Sequence, residues 1–456
     1  MVETATAALQ RIRESIAAGA EIPVSALDEL ILLATESDEA IARSGLTAIF
    51  PGLIEWLNDS FTPQAAFYYN EIFAQIIDSC RHHQAGSELD QWLHRYELPD
   101  RPSLLRRFEQ LPKVMGYDQF DRFRLRRVIW LSRVTIGADI AVTSVLMDGL
   151  RRALPDPDRV EMVLVGPGKL VELYGGDPQI RIREVEYRRG GTLFDRLLSW
   201  RSVVTAVETE ISGLDEGEYL VIDPDSRLTQ LGLLPVLPPA VESRGYRFFP
   251  SRIFTAPDCS SLGELAAAWT ADSGITDSTR SFIAPPARFI HLGRSIADRL
   301  RKMGAEQIVT VSLGVGGNEE KRRGESFEID LLGRLCREGW VILDRGFTPD
   351  EERQVEAAIA PWRRSGLPIL TADEDQLPSL NRPATSKHGI LTWRGGIGSL
   401  AGLIAASDRY VGYDSSGQHL AAALEIPGIT YFSSNNPAIF ARRWAPFSQK
   451  SQVVTE

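Results

Sequence analysis

Apolar residues recur at helical spacing through the first 120 or so positions, and from about residue 127 they gather into short runs of strand length. In the first stretch Leu9, Ile12 and Ile16 mark one face of a helix over 6–20, which ends before Pro23. The same period predicts helices over 25–49, 63–80, 86–96 and 103–111. Thr62-Pro63 and Asp100-Arg101-Pro102 read as helix starts, since proline tolerates the first helical turn, where its missing N–H costs nothing.

Beyond residue 127 the pattern alternates. A buried-type strand over 128–132 is followed by a loop over 133–139, a helix over 140–153 and a strand over 160–165. That unit requires parallel strands and a right-handed crossover. Strands over 182–187 and 219–223 continue it, with helices over 193–211, 261–272 and 287–303. A second series opens with a strand over 308–313 and the loop Gly314-Val315-Gly316-Gly317-Asn318-Glu319-Glu320-Lys321. Helices over 326–337, 350–364 and 398–406 then alternate with strands over 340–344, 369–372 and 390–393. The last strand begins at Tyr410 and runs through Asp414-Ser415-Ser416-Gly417-Gln418-His419 into an Ala/Leu-rich helix. The expected architecture is a helical accessory domain (1–120) for docking or self-association, then two α/β domains (121–304 and 305–456) with a ligand cleft between them.

Composition narrows the class. A chain of 456 residues with 43% hydrophobic and 24% charged residues is an ordinary globular protein, too long for one core. No apolar run reaches membrane-spanning length, and the N-terminus has no signal-peptide core. Cys80, Cys259 and Cys336 stand too far apart for a disulfide framework or a metal knuckle, so a reducing cytoplasm is expected. Cys80, His82, His83 and His94 are close in sequence but match no zinc spacing. The net charge of −11 argues against nucleic-acid binding, although arginines are dense between Arg122 and Arg201, as at Arg188-Arg189.

Several residues sit where chemistry is done. A strand passing directly into a helix leaves N–H groups unpaired at the helix start, and the segment from Ser415 to His419 therefore suits a phosphate. Asp414 stands at the carboxyl end of its strand, the edge where open α/β sheets bind ligands. Asp139 follows a Gly-Ala pair at the tip of the first βα loop, where a carboxylate serves either as helix N-cap or as general base. Lys321 ends the glycine-rich loop that contains Gly316 and supplies either a mobile charge or a plain surface lysine. It is not a Walker lysine, since no Ser or Thr follows, and 127–158 lacks the dinucleotide fingerprint. Asp350 and Glu351 either meet ribose hydroxyls or favour a helix start.

Taken in order, these motifs resemble glycosyltransferase family 9, the ADP-heptose-dependent heptosyltransferases with the GT-B fold. The resemblance spans about 127–446 and is carried by Gly137-Ala138-Asp139, Lys321-Arg322, Ser399-Leu400-Ala401 and above all the segment from Asp414 to Leu424. It implies an inverting, metal-independent transfer from a nucleotide-diphosphate sugar, ADP-linked by default, to a glycan, glycolipid or protein hydroxyl. No cofactor beyond that co-substrate is implied. Asp139 would be the base and Lys321 the partner of the departing diphosphate. Asp414, Ser415, Ser416, Gly417, Gln418 and His419 would bind the donor, with Gly316 in the adjoining loop and Asp350 or Glu351 on the ribose. The sequence departs from the family where Ser416 takes a glycine position and in its helical N-terminus. It also stops at Glu456, where the family continues into a helix, so a different domain clamp is expected. The alternative is a catalytically silent relative that binds a nucleotide, a glycan or a protein. A sugar-nucleotide epimerase of the same fold has no support in these residues.

Overall fold

The computed structural model describes all residues except 1, 114–121, 189, 273–278, 317, 375–385, 436 and 456. Helices Val2–Ala17, Val24–Ala34, Glu39–Thr47, Pro63–Arg81, Ser87–Arg95 and Arg101–Gln110 build the N-terminal region. The single helix expected over 25–49 breaks before Glu39, where the Asp38 carboxylate accepts from the N–H groups of Ala40 and Ile41. Thr62 caps the helix Pro63–Arg81 through the N–H of Ala65, and Asp100 with Ser103 forms a reciprocal cap on Arg101–Gln110.

Five parallel strands follow: β1 (Arg127–Leu131), β2 (Glu161–Gly166), β3 (Ile180–Glu184), β4 (Tyr219–Asp223) and β5 (Tyr246–Phe248), in the order β3-β2-β1-β4-β5. A second, seven-stranded parallel sheet contains β6 (Ile308–Ser312), β7 (Trp340–Asp344), β8 (Ile369–Asp373), β9 (Gly389–Arg394), β10 (Arg409–Tyr413), β11 (Gly428–Tyr431) and β12 (Ser451–Val454). Its order is β12-β11-β10-β6-β7-β9-β8. Chain order reverses between β1 and β4 in one sheet and between β6 and β10 in the other, and ligand crevices form outside such reversals. Four short elements (β5, β11, β12 and the helix Ala438–Arg443) carry too few residues to show a period, and the sequence did not announce them. The helix expected over 193–211 is two, Leu193–Leu198 and Trp200–Ile211.

The N-terminal helices pack on the first α/β unit. Ile72, Ile76, Leu89 and Leu104 share one hydrophobic cluster with Ile129, Val163, Val204 and Phe248 of the first α/β unit. Phe108 meets Phe248 edge-on at 5.6 Å, and Arg107 pairs with the buried Glu242. The helix Ala287–Lys302, expected to close the first unit, packs on the second: Ile296, Ala297 and Leu300 join Ile308, Trp340 and Leu403 in one core. A further cluster bridges the two α/β units, uniting Ile136 and Ile140 with Leu400, Ile404, Leu420 and Phe440. No helix among the described residues is long and apolar enough to cross a membrane.

The helices Ala287–Lys302 and Ile397–Ala405 cross at glycines. A Cβ on Gly293 would lie 1.9 Å from the Gly402 carbonyl oxygen, and one on Gly402 would lie 2.0 Å from that of Phe289. Neither backbone atom can rotate away. Gly293→Ala is expected to force the helices apart and lower stability by about 3 kcal/mol, read as a reduced urea midpoint at unchanged m-value.

Candidate active site

The site lies where the helices following β1 and β10 begin. Thr135 precedes the first, and Asp139 falls inside it, one turn further in than the loop tip where it was expected. The backbone widens from Asp139 to Thr143 into a π-type turn, a distortion frequent at functional sites. Asp139 is fully buried. Its Oδ2 accepts from Ser132 Oγ at 2.6 Å, and its Oδ1 accepts from the Arg133 N–H at 2.7 Å and Thr143 Oγ1 at 3.0 Å. Burial pushes this carboxyl up to about 6 against those donors. The carboxylate thus locks the β1 loop onto its helix. Val134 in that loop has φ 73°, a strained position for a β-branched residue, held by an N–H···Oγ bond to Ser132 at 2.8 Å.

Across the cleft, Asp414 ends its segment beside β10. Its Oδ2 pairs with Lys321 Nζ at 2.7 Å and its Oδ1 accepts from Gln418 Nε2. The neighbours of Lys321 are committed elsewhere. Arg322 pairs with the buried Glu328, whose Oε1 also accepts from the Tyr413 hydroxyl at 3.0 Å, and Arg323 lies 4.7 Å over the Phe327 ring. Lys321 alone of the three turns into the cleft. Ser415 occupies the N-cap place of the helix Ser416–Ala423 without making a capping bond, so the first-turn N–H groups keep their capacity for an anion. Gly417 is buried against the Tyr410 ring. His419 is buried, stacked edge-on with Trp444 at 6.1 Å, and its pKa is pushed down to about 3 by burial and by Lys321. It is a neutral imidazole with Nε2 at 3.3 Å from Gln418 Nε2.

Gly316 has φ 63°, which favours glycine, and a Cβ there would meet nothing within 4 Å, so open space fronts the loop. Gly317 lies outside the described residues. Glu351 is engaged in a reciprocal cap: Oε2 accepts from the N–H groups of Phe347 and Thr348, and Oε1 would lie 3.1 Å from a Cβ on Gly314. Asp350 is exposed and pairs with Arg353. The two halves meet directly: a Cβ on Gly137 would lie 3.2 Å from His419 Cδ2 and 3.5 Å from Ser416 Cα. The structure therefore gathers Asp139, Lys321, Asp414, Ser415, Ser416, Gly417, Gln418 and His419, sets Gly316 and Glu351 at the rim, and leaves Asp350 outside.

Sequence reasoning missed three groups. Asp344 ends β7 and accepts from Ser312 Oγ at 3.1 Å, with burial pushing its carboxyl up to about 6. The strand-end rule applied to Asp414 would have found it. Arg227, from the loop after β4, lines a cavity of about 600 Å3 between the N-terminal helices (Phe50, Glu55) and Tyr187–Arg196. Asp59, from the N-terminal region, keeps exposed surface and stands in electrostatic reach of Arg227, Lys321 and Asp414. No local signal announced either. Among the described residues no three His, Cys, Asp or Glu side chains gather as a metal site.

No family model matches the sequence, and no curated protein does. Among solved structures, a family 9 glycosyl transferase from Veillonella parvula is 14% identical with a TM-score of 0.53, covering 74% of this chain and 88% of that one. The chain has the GT-B fold. ADP-heptose lps heptosyltransferase II from E. coli is 15% identical with a TM-score of 0.46, covering 72% of this chain and 90% of that one. E. coli heptosyltransferase WaaC with ADP has the same identity and TM-score, covering 72% and 93%. The fold assignment rests on the Veillonella structure.

Asp223, at the end of β4, offers a test of the buried acids that frame this edge. It is fully buried, accepts from Thr229 Oγ1, Tyr246 OH and the Ser226 N–H, and has its carboxyl pushed from 3.8 to about 6 by burial. The folded state holds this proton more tightly than the unfolded one, so the contribution to stability is full below about pH 4 and lost as pH rises through about 6. Asp223→Asn is expected to remove roughly 2–3 kcal/mol of that pH dependence, measured by chemical denaturation between about pH 4 and 7.

Proposed function

We propose that the protein is an inverting glycosyltransferase that uses a nucleotide-diphosphate sugar, ADP-linked by default, and an acceptor hydroxyl. The observation that carries this reading is the meeting of Gly137 with Ser416 and His419. It sets a carboxylate-bearing helix start of one unit against an anion-ready helix start and a directed lysine of the other. The diphosphate lies on the first-turn N–H groups of the helix Ser416–Ala423, with Lys321 exchanging its contact to Asp414 for the phosphate oxygens. The acceptor enters from the cavity lined by Arg227. Its hydroxyl attacks the anomeric carbon from the face opposite the diphosphate, and the proton passes to Asp139, which is ionised above about pH 6. Charge accumulating on the departing diphosphate is met by Lys321 and the helix end, and such preorganised stabilisation supplies most of the rate enhancement in catalysis of this kind. No step calls on a metal.

A second reading draws on one observation: Asp139 has no exposed surface and both of its oxygens are engaged. In that reading the carboxylate only braces the β1 loop, and the protein binds a nucleotide or glycan without turnover.

Calorimetric titration of ADP, GDP and UDP into wild type and Lys321→Ala tests the donor site. The expected result is selective binding of ADP, weakened about tenfold or more by loss of one charge-assisted contact. Selective UDP or GDP binding replaces the nucleotide and with it the default heptose. No binding overturns the donor site. Asp139→Asn separates the two readings: an enzyme loses about a hundredfold or more in transfer rate at unchanged nucleotide affinity, whereas a silent relative has no transfer to lose.

A further inference from the structure

A second cavity, of about 290 Å3, lies where the helices Pro63–Arg81 and Arg101–Gln110 meet β5 and the loops after β4 and β5. It shares no lining residue with the cavity beside Arg227. Phe67, Leu105, Phe108, Phe248, Pro250 and Ile253 give it apolar walls, and the exposed ring of Phe67 marks its mouth. Asn70, Asp225 and Arg252 also line it, exposed by only 6%, 1% and 5%. Arg252 Nε and Nη2 both donate to Asp225, at 3.1 and 3.3 Å, and the guanidinium lies 4.7 Å over the Tyr69 ring. Those contacts occupy one edge and one face of the group. Its Nη1 has no hydrogen-bond partner among the described residues, and neither has Asn70 Oδ1. A donor and an acceptor thus stand unpaired in the lining of one apolar cavity. Native proteins seldom leave such atoms so, because burial has already cost them their bonds to water.

We propose that this cavity binds a small neutral molecule with one planar apolar ring and a carboxamide or lactam head, whose oxygen accepts from Arg252 Nη1 and whose N–H donates to Asn70 Oδ1. The charge balance selects the head. Asp225 already neutralises Arg252, so a carboxylate would bring an unbalanced charge into an enclosed place. A plain hydrocarbon would leave both polar atoms unpaired. An amide carries the acceptor and the donor on neighbouring atoms and no net charge. The volume admits a single ring with its head, and a mostly apolar lining with a few convergent polar groups is the usual make-up of a small-molecule site. The ring lies among Phe67, Phe108 and Phe248. This inference stands apart from the donor-site reading and survives its failure.

The test is ligand-observed NMR on the full chain with benzamide, nicotinamide, benzoate and toluene at about pH 7. Saturable binding of the two carboxamides is expected, about tenfold or more tighter than that of benzoate or toluene. Asn70→Leu removes the acceptor and is expected to weaken the carboxamides about fivefold. Leu105 is half-buried at the cavity wall, and Leu105→Trp is expected to fill the space and abolish binding without touching a buried polar group. Excess ADP is expected to leave the carboxamide signal in place. Displacement by ADP puts these probes in the cleft and overturns the inference while leaving the donor site intact. Toluene or benzoate binding as tightly as the carboxamides, binding that survives Leu105→Trp, or no saturable binding to wild type also overturns it.

Discussion

Two helix amino-termini face each other at less than a side chain's distance, and the rest of the site follows from that contact. The helices after β1 and β10 both begin at carboxyl edges of parallel sheets, so each presents unpaired N–H groups and the positive end of its dipole. Gly137 packs on Ser416 and His419, where even a Cβ would press on the imidazole at 3.2 Å. Two positive ends this close repel unless negative charge is set among them. Asp139 supplies it on one side, fully enclosed and held by three donors. Asp414 supplies it on the other, but pairs with a lysine that can let go.

That asymmetry distinguishes a firmly held carboxylate from an exchangeable one. A buried acid whose oxygens both accept hydrogen bonds is costly to disturb, and burial raises its affinity for a proton above that of an exposed carboxyl. A lysine one-fifth exposed, beside a helix end that lacks a side-chain cap, is positioned to trade one anion for another. A buried glutamate ties down Arg322 and an aromatic face ties down Arg323, which leaves Lys321 as the mobile charge of the three. His419 contributes shape and a hydrogen bond but no charge.

Most of this was legible where the information is local. The strand over 340–344 is β7 residue for residue, and the helix start expected around Asp350 and Glu351 is where the helix Pro349–Arg364 begins. The segment from Asp414 to His419 could be placed because a strand, a turn and a helix start are all encoded within ten residues. Legibility ended where distance in sequence began. Chain order puts the helix Ala287–Lys302 beside the first unit, but the absence of side chains at Gly293 and Gly402 is what lets it settle on the second. The depth of Asp139 depends on atoms contributed by Ser132, Thr143 and the packed second unit, and no local pattern encodes depth. Break points inside long apolar stretches, at Asp38 and Ser199, look in sequence like tolerable polar positions on a helix face.

The N-terminal helices show why a two-domain reading of such a chain is incomplete. A loop that only filled space beside the cleft would have no need of a left-handed phenylalanine. Phe61 accepts about 1 kcal/mol or more of backbone strain at φ 49°, and burial of its ring, worth roughly 2–3 kcal/mol, offsets that cost. The ring lands between Phe440 and Trp444, the same two residues that bear on Lys321 and His419. Since the same helices share a core with the first sheet, any shift of one α/β unit against the other has to move this loop relative to the lysine. The N-terminal region is therefore mechanically in series with the cleft.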